Sequence, residues 1–450
     1  MSKLRLAIVG AGPAGIYAAD LLIKSELRDF EVSIDLFDLL PAPYGLVRYG
    51  VAPDHPRIKG IIRALYEVLD RGDIRFFGNV HYGKDITLED LKSHYNAVIF
   101  ATGAIKDADL NIPGIGLDGS YGAADFVNWY DAHPDFPREW PLNAKQVAVI
   151  GNGNVALDVA RVLAKLPDDM LSTDIPANVY AGLKSSPVTD VHVFGRRGPA
   201  QVKFTPLELR EATHIEGVDC IVYDEDFKYD DGSQHAIDTN NQTRVMVNTL
   251  EGLREEPQNT GAARRLHLHF FSAPVEVLGE DGKVVGLRIE RTELDGTGNV
   301  KPTGEFRQFD VQAVYRAVGY FGSELDQVPY DSKYGVIPND GGRVLDGESV
   351  IPGIYATGWI KRGPVGLIGH TKSDALETIN NLIADRETWW QPTSADEAAV
   401  VALLEERGVE YIGWPEWLMI DARERALGEA EGRERIKLVD RGDFLSVAKG

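Results

Sequence analysis

One glycine-rich motif occurs twice in this chain, and it limits the possible folds more than any other feature. The first copy, in "LRLAIVGAGPAGIYAADLL", places Gly10, Gly12 and Gly15 between an apolar strand and a helix, and a second strand, "VSIDLFD", then ends on Asp38. In such a strand–helix–strand unit the glycines permit a tight turn and a close backbone approach to a pyrophosphate, and the terminal acid accepts hydrogen bonds from ribose hydroxyls. The alternative is a glycine-rich turn without a ligand, but the complete unit predicts a dinucleotide site.

The second copy, in "QVAVIGNGNVALDVARVLA", places Gly151, Gly153 and Ala156 at the same spacing, and the motif permits alanine in third place. Its second strand, "VHVFGRR", ends on Arg196 and Arg197 where the first unit ends on an acid. An acid repels a 2′-phosphate, whereas a guanidinium offers a planar fork of donors to phosphate oxygens. The arginine pair therefore predicts a site for NADP(H), with a solvated basic corner as the alternative.

The cysteine content restricts the redox chemistry of the chain. Cys220 is the one cysteine among 450 residues, which excludes an intrachain disulfide framework, a CxxC pair and a cysteine-ligated iron–sulfur cluster built from this chain alone. Redox chemistry then requires an organic cofactor, and FAD in the first site with NADP(H) in the second is the simplest assignment. The net charge of -22 argues against general nucleic-acid binding, which depends on neutralising phosphates with Lys and Arg.

Neither a membrane span nor a signal peptide is predicted. No stretch approaches the roughly 18 apolar residues of a transmembrane helix. The sequence enters a strand within three residues of Met1, which leaves no room for a signal peptide. We expect a cytoplasmic protein.

The segment "RRLHLHFFSAPVEVLGEDGKVVGLRIERTEL" (264–294) alternates polar and apolar residues around an Asp-Gly turn, which predicts a β-meander. His267 and His269 lie on one face of its first strand. Because no cysteine or acid follows at metal-binding spacing, we expect two surface histidines and no metal site.

The strand–glycine–helix pattern returns in "GIYATGWIKRGPVGLIGHTKSDALETINNLIAD" (353–385), after the second nucleotide unit. The chain is therefore expected to return to its first domain. The predicted fold class is α/β, with two Rossmann-like dinucleotide-binding domains. The NADP-binding domain (106–330) is inserted into a discontinuous FAD-binding domain (1–105 and 331–450) that ends in a helical tail.

Four segments together resemble adrenodoxin-reductase-type ferredoxin–NADP reductases. They are "DLLPAPYGLVRYGVAPDHPRIKG" (38–60), "GNGNVALDVAR" (151–161), "GRRGPAQVKFTPLELRE" (195–211) and "ATGWIKRGPVGLIG" (356–369). The resemblance spans almost the whole chain in order. It implies a glutathione-reductase-like pair of domains, bound FAD, and electron flow from NADPH through the flavin to a ferredoxin-type iron–sulfur protein.

The resemblance also implies which residues contact the cofactors. The FAD contacts are Gly10, Gly12, Ala14, Gly15, Asp38, Leu46, Val80, Trp359, Gly366, Leu367 and Ile368. The NADP(H) contacts are Gly151, Asn152, Gly153, Asn154, Val155, Arg196, Arg197, Glu208 and Gly366. Leu46 and Val80 are apolar, so an ordinary core position is an equal alternative for both.

Two features of the expected reaction stay open in the sequence. His55 and Asp158 stand at family motif positions and are expected to pair near the redox centre, with a structural salt bridge as the alternative, so no catalytic acid or base is assigned. A reductase that acts directly on a small molecule such as a quinone would share both nucleotide sites. A non-enzymatic protein that senses NADP is a third possibility.

The negative charge of the whole chain bears on the expected partner. Ferredoxins are usually acidic, so attraction requires a local basic patch on a chain of net charge -22. The positive residues nearest in sequence to the cofactor motifs form the predicted docking patch: Arg57, Lys59, Arg63, Lys203 and Arg210.

Overall fold

The computed structural model describes residues 3–365 and 368–450, and these form two compact units. The first unit contains the chain up to residue 106, together with 131–135 and 320–450. The second unit contains 107–130 and 136–319. Each unit is described by itself below.

The chain returns to the first unit earlier than the sequence analysis placed it. The prediction put this return after residue 330, whereas the structure puts it after residue 319. The difference arises because the strand Tyr320–Phe321 pairs with Lys106–Asp107, and the N–H of Ile105 donates to the carbonyl of Phe321 at 3.0 Å. The prediction also missed the short segment 131–135, which packs with the first unit.

The described residues form eighteen strands and sixteen α-helices. The strands are β1 (Lys3–Val9), β2 (Glu31–Phe37), β3 (Ile74–Phe77), β4 (Ala97–Phe100), β5 (Lys106–Asp107), β6 (Ser120–Gly122), β7 (Gln146–Ile150), β8 (Asp190–Phe194), β9 (Val218–Val222), β10 (Arg264–His269), β11 (Ser272–Glu280), β12 (Lys283–Leu294), β13 (Val300–Phe309), β14 (Ala313–Arg316), β15 (Tyr320–Phe321), β16 (Asn339–Asp340), β17 (Arg343–Asp346) and β18 (Ser349–Ala356). The helices are α1 (Pro13–Lys24), α2 (Leu46–Tyr49), α3 (Pro56–Lys59), α4 (Ile62–Leu69), α5 (Leu88–His94), α6 (Ala123–Tyr130), α7 (Asn154–Ala164), α8 (Ala177–Ser185), α9 (Pro206–Thr213), α10 (Asp231–Thr239), α11 (Asn241–Glu255), α12 (Trp359–Arg362), α13 (Ile368–Ala384), α14 (Glu397–Glu406), α15 (Trp414–Glu429) and α16 (Arg441–Lys449).

A seven-stranded sheet of order β16-β17-β18-β4-β1-β2-β3 forms the centre of the first unit. Its pairings from β18 to β3 are parallel, and β16 and β17 add an antiparallel edge. Alternate residues of β1 enter two hydrophobic cores: Leu6 and Ile8 pack with α1, α4, α13 and α15, while Ala7 and Val9 pack with α5 and α14. Helices thus bury both faces, as a parallel sheet requires.

The second unit contains a parallel six-stranded sheet of order β6-β14-β7-β8-β10-β9. A separate antiparallel sheet, β11-β12-β13, covers one face, where Ile150 and Phe194 pack with Leu287 and Ile289. The predicted meander therefore begins at β11 rather than at β10, because β10 extends the parallel sheet. Both residues of the Asp281–Gly282 turn have positive φ (49° and 79°), as a two-residue hairpin turn requires.

A helix that crosses a bilayer must be both long enough and apolar enough. None of the helices within 3–365 and 368–450 meets both requirements.

Candidate functional site

The first glycine motif connects β1 to α1, and the space beside one of its three glycines is open to a ligand. Gly10 has φ of 114°, and a Cβ there would overlap the carbonyl of Ala101, while a Cβ at Gly15 would overlap the carbonyl of Gly10. A Cβ at Gly12 would meet only Gly45 Cα, at 3.8 Å. Gly12 also precedes α1 without a side-chain cap, so N–H groups at the helix start are available to a phosphate. This arrangement fits the predicted pyrophosphate contact.

Asp38 follows β2 and bonds to the glycine loop itself. Its Oδ2 accepts from the N–H of Ala11 at 2.6 Å, and its Oδ1 accepts from the N–H of Leu40 at 2.8 Å. Burial raises the pKa of Asp38 to about 6, although these two hydrogen bonds oppose the rise. Each carboxylate oxygen can accept more than one hydrogen bond, so the predicted ribose contact stays open to this side chain.

A buried ion pair holds the segment that faces Gly12. The N–H of Tyr44 donates to the carbonyl of Ala11 at 2.8 Å, and α2 begins two residues later. On α2, Arg48 donates to Glu424 of α15 through Nη1 at 3.0 Å and also through Nη2. Both side chains are at most 3% exposed. No local pattern in the sequence predicts this pair, because its partners lie 376 positions apart.

The two apolar residues predicted near FAD occupy different environments. Leu46 is half-buried at the start of α2. Val80 is 2% exposed and belongs to a hydrophobic core of the first unit, and its N–H donates to the carbonyl of Asp38 at 2.9 Å. A core position therefore accounts for Val80, and its contact with FAD stays a prediction.

The "ATGW" passage lies directly against the first glycine motif. A Cβ at Gly358 would come within 2.6 Å of Ala14 Cβ. Asp374 of α13 fixes this passage, because it accepts from the N–H of Gly358 at 2.6 Å and from the hydroxyl of Thr357 at 3.1 Å. Lys361 pairs with the same carboxylate at 3.1 Å. Sequence reasoning did not identify Asp374 or Lys361.

The remaining predicted FAD residues follow this passage. Trp359 is half-buried and begins α12. Gly366 and Leu367 lie outside the described residues, and so does the side chain of Ile368, where α13 begins. Their predicted contacts stay predictions.

The second glycine motif connects β7 to α7 with the same kind of opening. Gly151 has φ of 143°, and a Cβ there would overlap the carbonyl of Ala317, whereas a Cβ at Gly153 would meet nothing within 4 Å. Gly153 precedes α7 without a side-chain cap. Asn154 fixes the neighbouring loop, because its Oδ1 accepts from the N–H of Thr205 at 2.8 Å. The predicted pyrophosphate site therefore has an open backbone and a free helix start.

Arg196 and Arg197 follow β8 and bond to the rest of the unit through their backbone. The carbonyl of Arg196 accepts from the hydroxyl of Thr292 at 2.6 Å, and the carbonyl of Arg197 accepts from the N–H of Phe271 at 3.2 Å. Arg196 is exposed and Arg197 is half-buried. Within the described part of the chain, neither guanidinium pairs with a carboxylate. Both are available to a phosphate ligand.

The other predicted polar residues are buried and paired. Arg161 of α7 donates to Asp158 at 2.8 Å and to Glu208 of α9 at 3.4 Å, and Glu208 is 3% exposed. His55 is buried in the first unit. The NADP contact of Glu208 and the pairing of His55 with Asp158 stay predictions.

The histidines expected at the surface are instead buried in the second unit. His192 of β8 lies beside His267 and His269 of β10, and each is at most 8% exposed. The Nδ1 of His192 lies 3.0 Å from the Nε2 of His269, while His267 bonds to Asp190 at 2.9 Å and to Tyr223 at 2.9 Å. The expectation was wrong because β10 is an inner strand of the parallel sheet, between β8 and β9, and Phe309 of β13 packs against His269 with their ring centroids 5.0 Å apart.

The stacking of these three rings also bears on metal binding. The His192 and His267 rings lie 4.2 Å apart at 15°, and the His267 and His269 planes differ by 9°. One ring nitrogen of each histidine lies within 4.8 Å of those of the other two, which is close enough for a shared ion, but both nitrogens of His267 already have hydrogen-bond partners. The expectation of no metal site stays a prediction.

The members of the predicted docking patch fall in both units and differ in exposure. Arg57 is exposed, and Arg63 is exposed with an i,i+4 partner in Glu67. Lys59 is 11% exposed and ion-paired with Asp131 at 3.2 Å, and its part in docking stays a prediction. Lys203 and Arg210 are exposed residues of the second unit.

Comparisons with known proteins agree with this geometry and confirm the resemblance and the fold class. Residues 4–198 match the pyridine nucleotide-disulphide oxidoreductase family. The NADPH-ferredoxin reductase FprA of Mycobacterium tuberculosis is 40% identical over 100% of both chains. The mitochondrial NADPH:adrenodoxin oxidoreductase of Homo sapiens is 37% identical over 98% of this chain and 91% of its own. A solved structure of Mycobacterium tuberculosis FprA in complex with NADPH matches 100% of both chains with a TM-score of 0.92 at 38% identity. The chain therefore belongs to the adrenodoxin-reductase-type family of ferredoxin–NADP reductases.

Proposed function

We propose that this protein is a ferredoxin–NADP reductase that passes electrons from NADPH through bound FAD to a ferredoxin-type iron–sulfur protein. The observation that carries the proposal is the pair of open glycine loops, one followed by Asp38 and the other by Arg196 and Arg197. Full-length similarity to reductases whose names specify NADPH with ferredoxin or adrenodoxin supports the partner class.

The first unit fits FAD. When bound, FAD would supply the redox chemistry, which is to accept a hydride from NADPH and release single electrons to an iron–sulfur partner. The protein holds it in place: the open backbone at Gly12 and the start of α1 bind the pyrophosphate, and Asp38 accepts hydrogen bonds from the ribose. Asp374 keeps the adjacent "ATGW" passage in position through two hydrogen bonds. These contacts orient the cofactor and do not require a covalent protein intermediate.

The second unit fits NADP(H). The start of α7 and the backbone at Gly153 bind the pyrophosphate, because the helix leaves its first N–H groups without side-chain caps. Arg196 and Arg197 bind the 2′-phosphate, since a guanidinium suits a terminal phosphate better than a ribose hydroxyl. This division of charge makes NADPH rather than NADH the expected reductant.

An anaerobic titration of the purified protein with NADPH tests the proposal. We expect a yellow protein that NADPH bleaches, and reduction of an added ferredoxin that is faster than reduction of a quinone. Fast quinone reduction with no ferredoxin reduction would identify a small-molecule reductase. A colourless protein, or one that NADPH does not bleach, would contradict the flavin assignment itself.

We also propose that exposed arginines attract an acidic ferredoxin. Arg57 and Arg63 of the first unit and Arg210 of the second are the members of the predicted patch that keep this role. Ferredoxin reduction should slow as salt rises, because the screening length is about 8 Å at physiological ionic strength. We expect Arg57→Gln/Arg63→Gln to reduce both the rate and its salt dependence. Salt-independent reduction that both substitutions leave unchanged would place the patch elsewhere.

The compartment stays a prediction. The sequence predicts a cytoplasmic protein, and the relatives from human and Arabidopsis thaliana carry the word mitochondrial in their names. Family membership therefore does not determine the location.

A further inference from the structure

Lys203 carries a positive charge that no described residue neutralises. It is exposed on the segment that precedes α9, and among residues 3–365 and 368–450 its ammonium has no hydrogen-bond or ion-pair partner. We propose that Lys203 is a third cationic residue of the NADP site and that it binds the pyrophosphate. The inference rests on the proposed function, and it reassigns a residue that the sequence placed in the docking patch.

The backbone of Lys203 is fixed against the second glycine loop. Its N–H donates to the carbonyl of Asn152 at 2.9 Å, and two residues later the N–H of Thr205 donates to Oδ1 of Asn154 at 2.8 Å. These two bonds align the segment with the loop that leads into α7. The Lys203 ammonium stands on a flexible four-carbon stem, so it can reach a phosphate bound at that loop.

The arginine loop lies beside the same residue, Asn152. A Cβ at Gly195 would come within 3.2 Å of Asn152 Cβ, and Arg196 and Arg197 follow directly. Three segments of the second unit thus converge, and two of them together carry three cations without a described carboxylate partner: Arg196 and Arg197 on one, and Lys203 on the other. In a chain of net charge -22, three unpaired cations at one place indicate an anionic ligand with more than one phosphate group.

Placement and chemistry assign Lys203 to the pyrophosphate rather than to the 2′-phosphate. Its backbone bonds to the loop at the start of α7, where the open Gly153 permits phosphate binding, whereas the arginines follow β8. The ammonium of a lysine is a compact point charge, which suits the two linked phosphates of a pyrophosphate. The planar guanidinium of an arginine donates two parallel hydrogen bonds, which suits a terminal phosphate.

Equilibrium binding to the flavin-containing protein separates these roles. The ligands are NADP⁺, NAD⁺ and adenosine 2′-monophosphate, which lacks the pyrophosphate. We expect Lys203→Ala to weaken NADP⁺ and NAD⁺ by a similar factor, roughly three- to tenfold, and to leave adenosine 2′-monophosphate unchanged. Arg196→Ala/Arg197→Ala should weaken NADP⁺ and adenosine 2′-monophosphate but not NAD⁺. Lys203→Arg should restore most of the NADP⁺ affinity.

Lys145 provides the matched control, since it is an exposed lysine just before β7, at the opposite end of that strand. Lys145→Ala should leave all three affinities unchanged. Unaltered NADP⁺ affinity in Lys203→Ala would overturn the inference, as would a loss confined to adenosine 2′-monophosphate and NADP⁺. A change only in the KM for ferredoxin would return Lys203 to the docking patch. If the arginine variant also binds NADP⁺ normally, the proposed NADP site itself fails.

Discussion

The two nucleotide units share one motif and differ in the residues that follow its second strand. In the first unit both oxygens of Asp38 accept backbone N–H groups of the surrounding loops. In the second unit Arg196 and Arg197 are bonded through backbone carbonyls, and their guanidinium groups face no described carboxylate. In the first unit the side chain that holds the loop is also the predicted ribose contact. In the second unit backbone hydrogen bonds hold the loop, and the predicted phosphate contacts are two arginine side chains without a described carboxylate partner.

Burial shifts the pKa of an acid in the first unit and of three histidines in the second in opposite directions, because it disfavours the charged form of each. It raises the pKa of Asp38 to about 6, so this carboxyl group takes up a proton at higher pH than an exposed one. In the second unit it lowers the pKa of His192 to about 3 and also lowers the pKa values of His267 and His269. Protonation of these three histidines in acid therefore destabilises the second unit.

Removal of the two arginine side chains should change the nucleotide preference of the second unit more than any other substitution proposed here. Arg196→Ala/Arg197→Ala removes charge-assisted hydrogen bonds, and after allowance for exposure we expect a loss of about 2–4 kcal/mol. That loss lowers the ratio of kcat/KM for NADPH over NADH by roughly one and a half to three decades. The kcat/KM for NADH and the flavin content should not fall. Equal losses for the two nucleotides would mean that the arginines hold the fold and do not select the ligand.

A second test uses the acid sensitivity of the histidine stack. The pKa of His192 is lower in the folded protein than in the unfolded chain, so the folded protein binds fewer protons at this residue. The stability that neutral His192 contributes is therefore complete above about pH 6.5 and is lost as the pH falls toward 3. For a buried histidine this amounts to about 2 kcal/mol between pH 7 and pH 5. Urea unfolding of His192→Gln should therefore show a smaller loss of stability on acidification than the unchanged protein.

His235 offers a control for this measurement because it is an exposed histidine of the same unit. His235→Gln should retain the pH dependence of the unchanged protein. If His192→Gln retains it as well, the buried stack does not determine the acid stability of the second unit.

Asp38→Asn tests whether the acid of the first unit both holds the loop and contacts FAD. The amide keeps one acceptor oxygen but presents an NH₂ group to a backbone N–H, which costs about 1–2 kcal/mol. We expect roughly tenfold weaker FAD binding to the flavin-free protein, measured by flavin fluorescence. Binding of NADP⁺ to the second unit should be unchanged. Full FAD affinity in this variant would remove the distinction between the two units.

The smallest effect is expected at Cys220, which belongs to neither cofactor motif. Burial raises the pKa of its thiol to about 12, which disfavours the reactive thiolate. Cys220→Ser should leave NADPH-dependent dye reduction essentially unchanged. A collapse of activity in stably folded protein would show that thiol chemistry contributes and that the two cofactors do not carry all the electrons.

The sequence predicted the parts of this molecule that are encoded locally. Both glycine loops could be predicted because spacing of two and three residues fixes their geometry, and Arg196 and Arg197 follow from the end of the same strand. The stack of His192 with His267 could not, because it depends on the pairing of β8 with β10, whose paired residues lie 75 positions apart. The Arg48–Glu424 pair escaped prediction for the same reason.

The discontinuous course of the first unit has a consequence for synthesis on the ribosome. Strand β4 of its sheet pairs with β18, whose residues are translated only after the whole second unit. Domains generally fold as units while the chain emerges. The second unit is complete once residue 319 has left the exit tunnel, whereas β1 to β4 emerge first and must wait with an unpaired edge. We therefore expect the nascent first unit, rather than the inserted one, to be the segment that needs protection by chaperones.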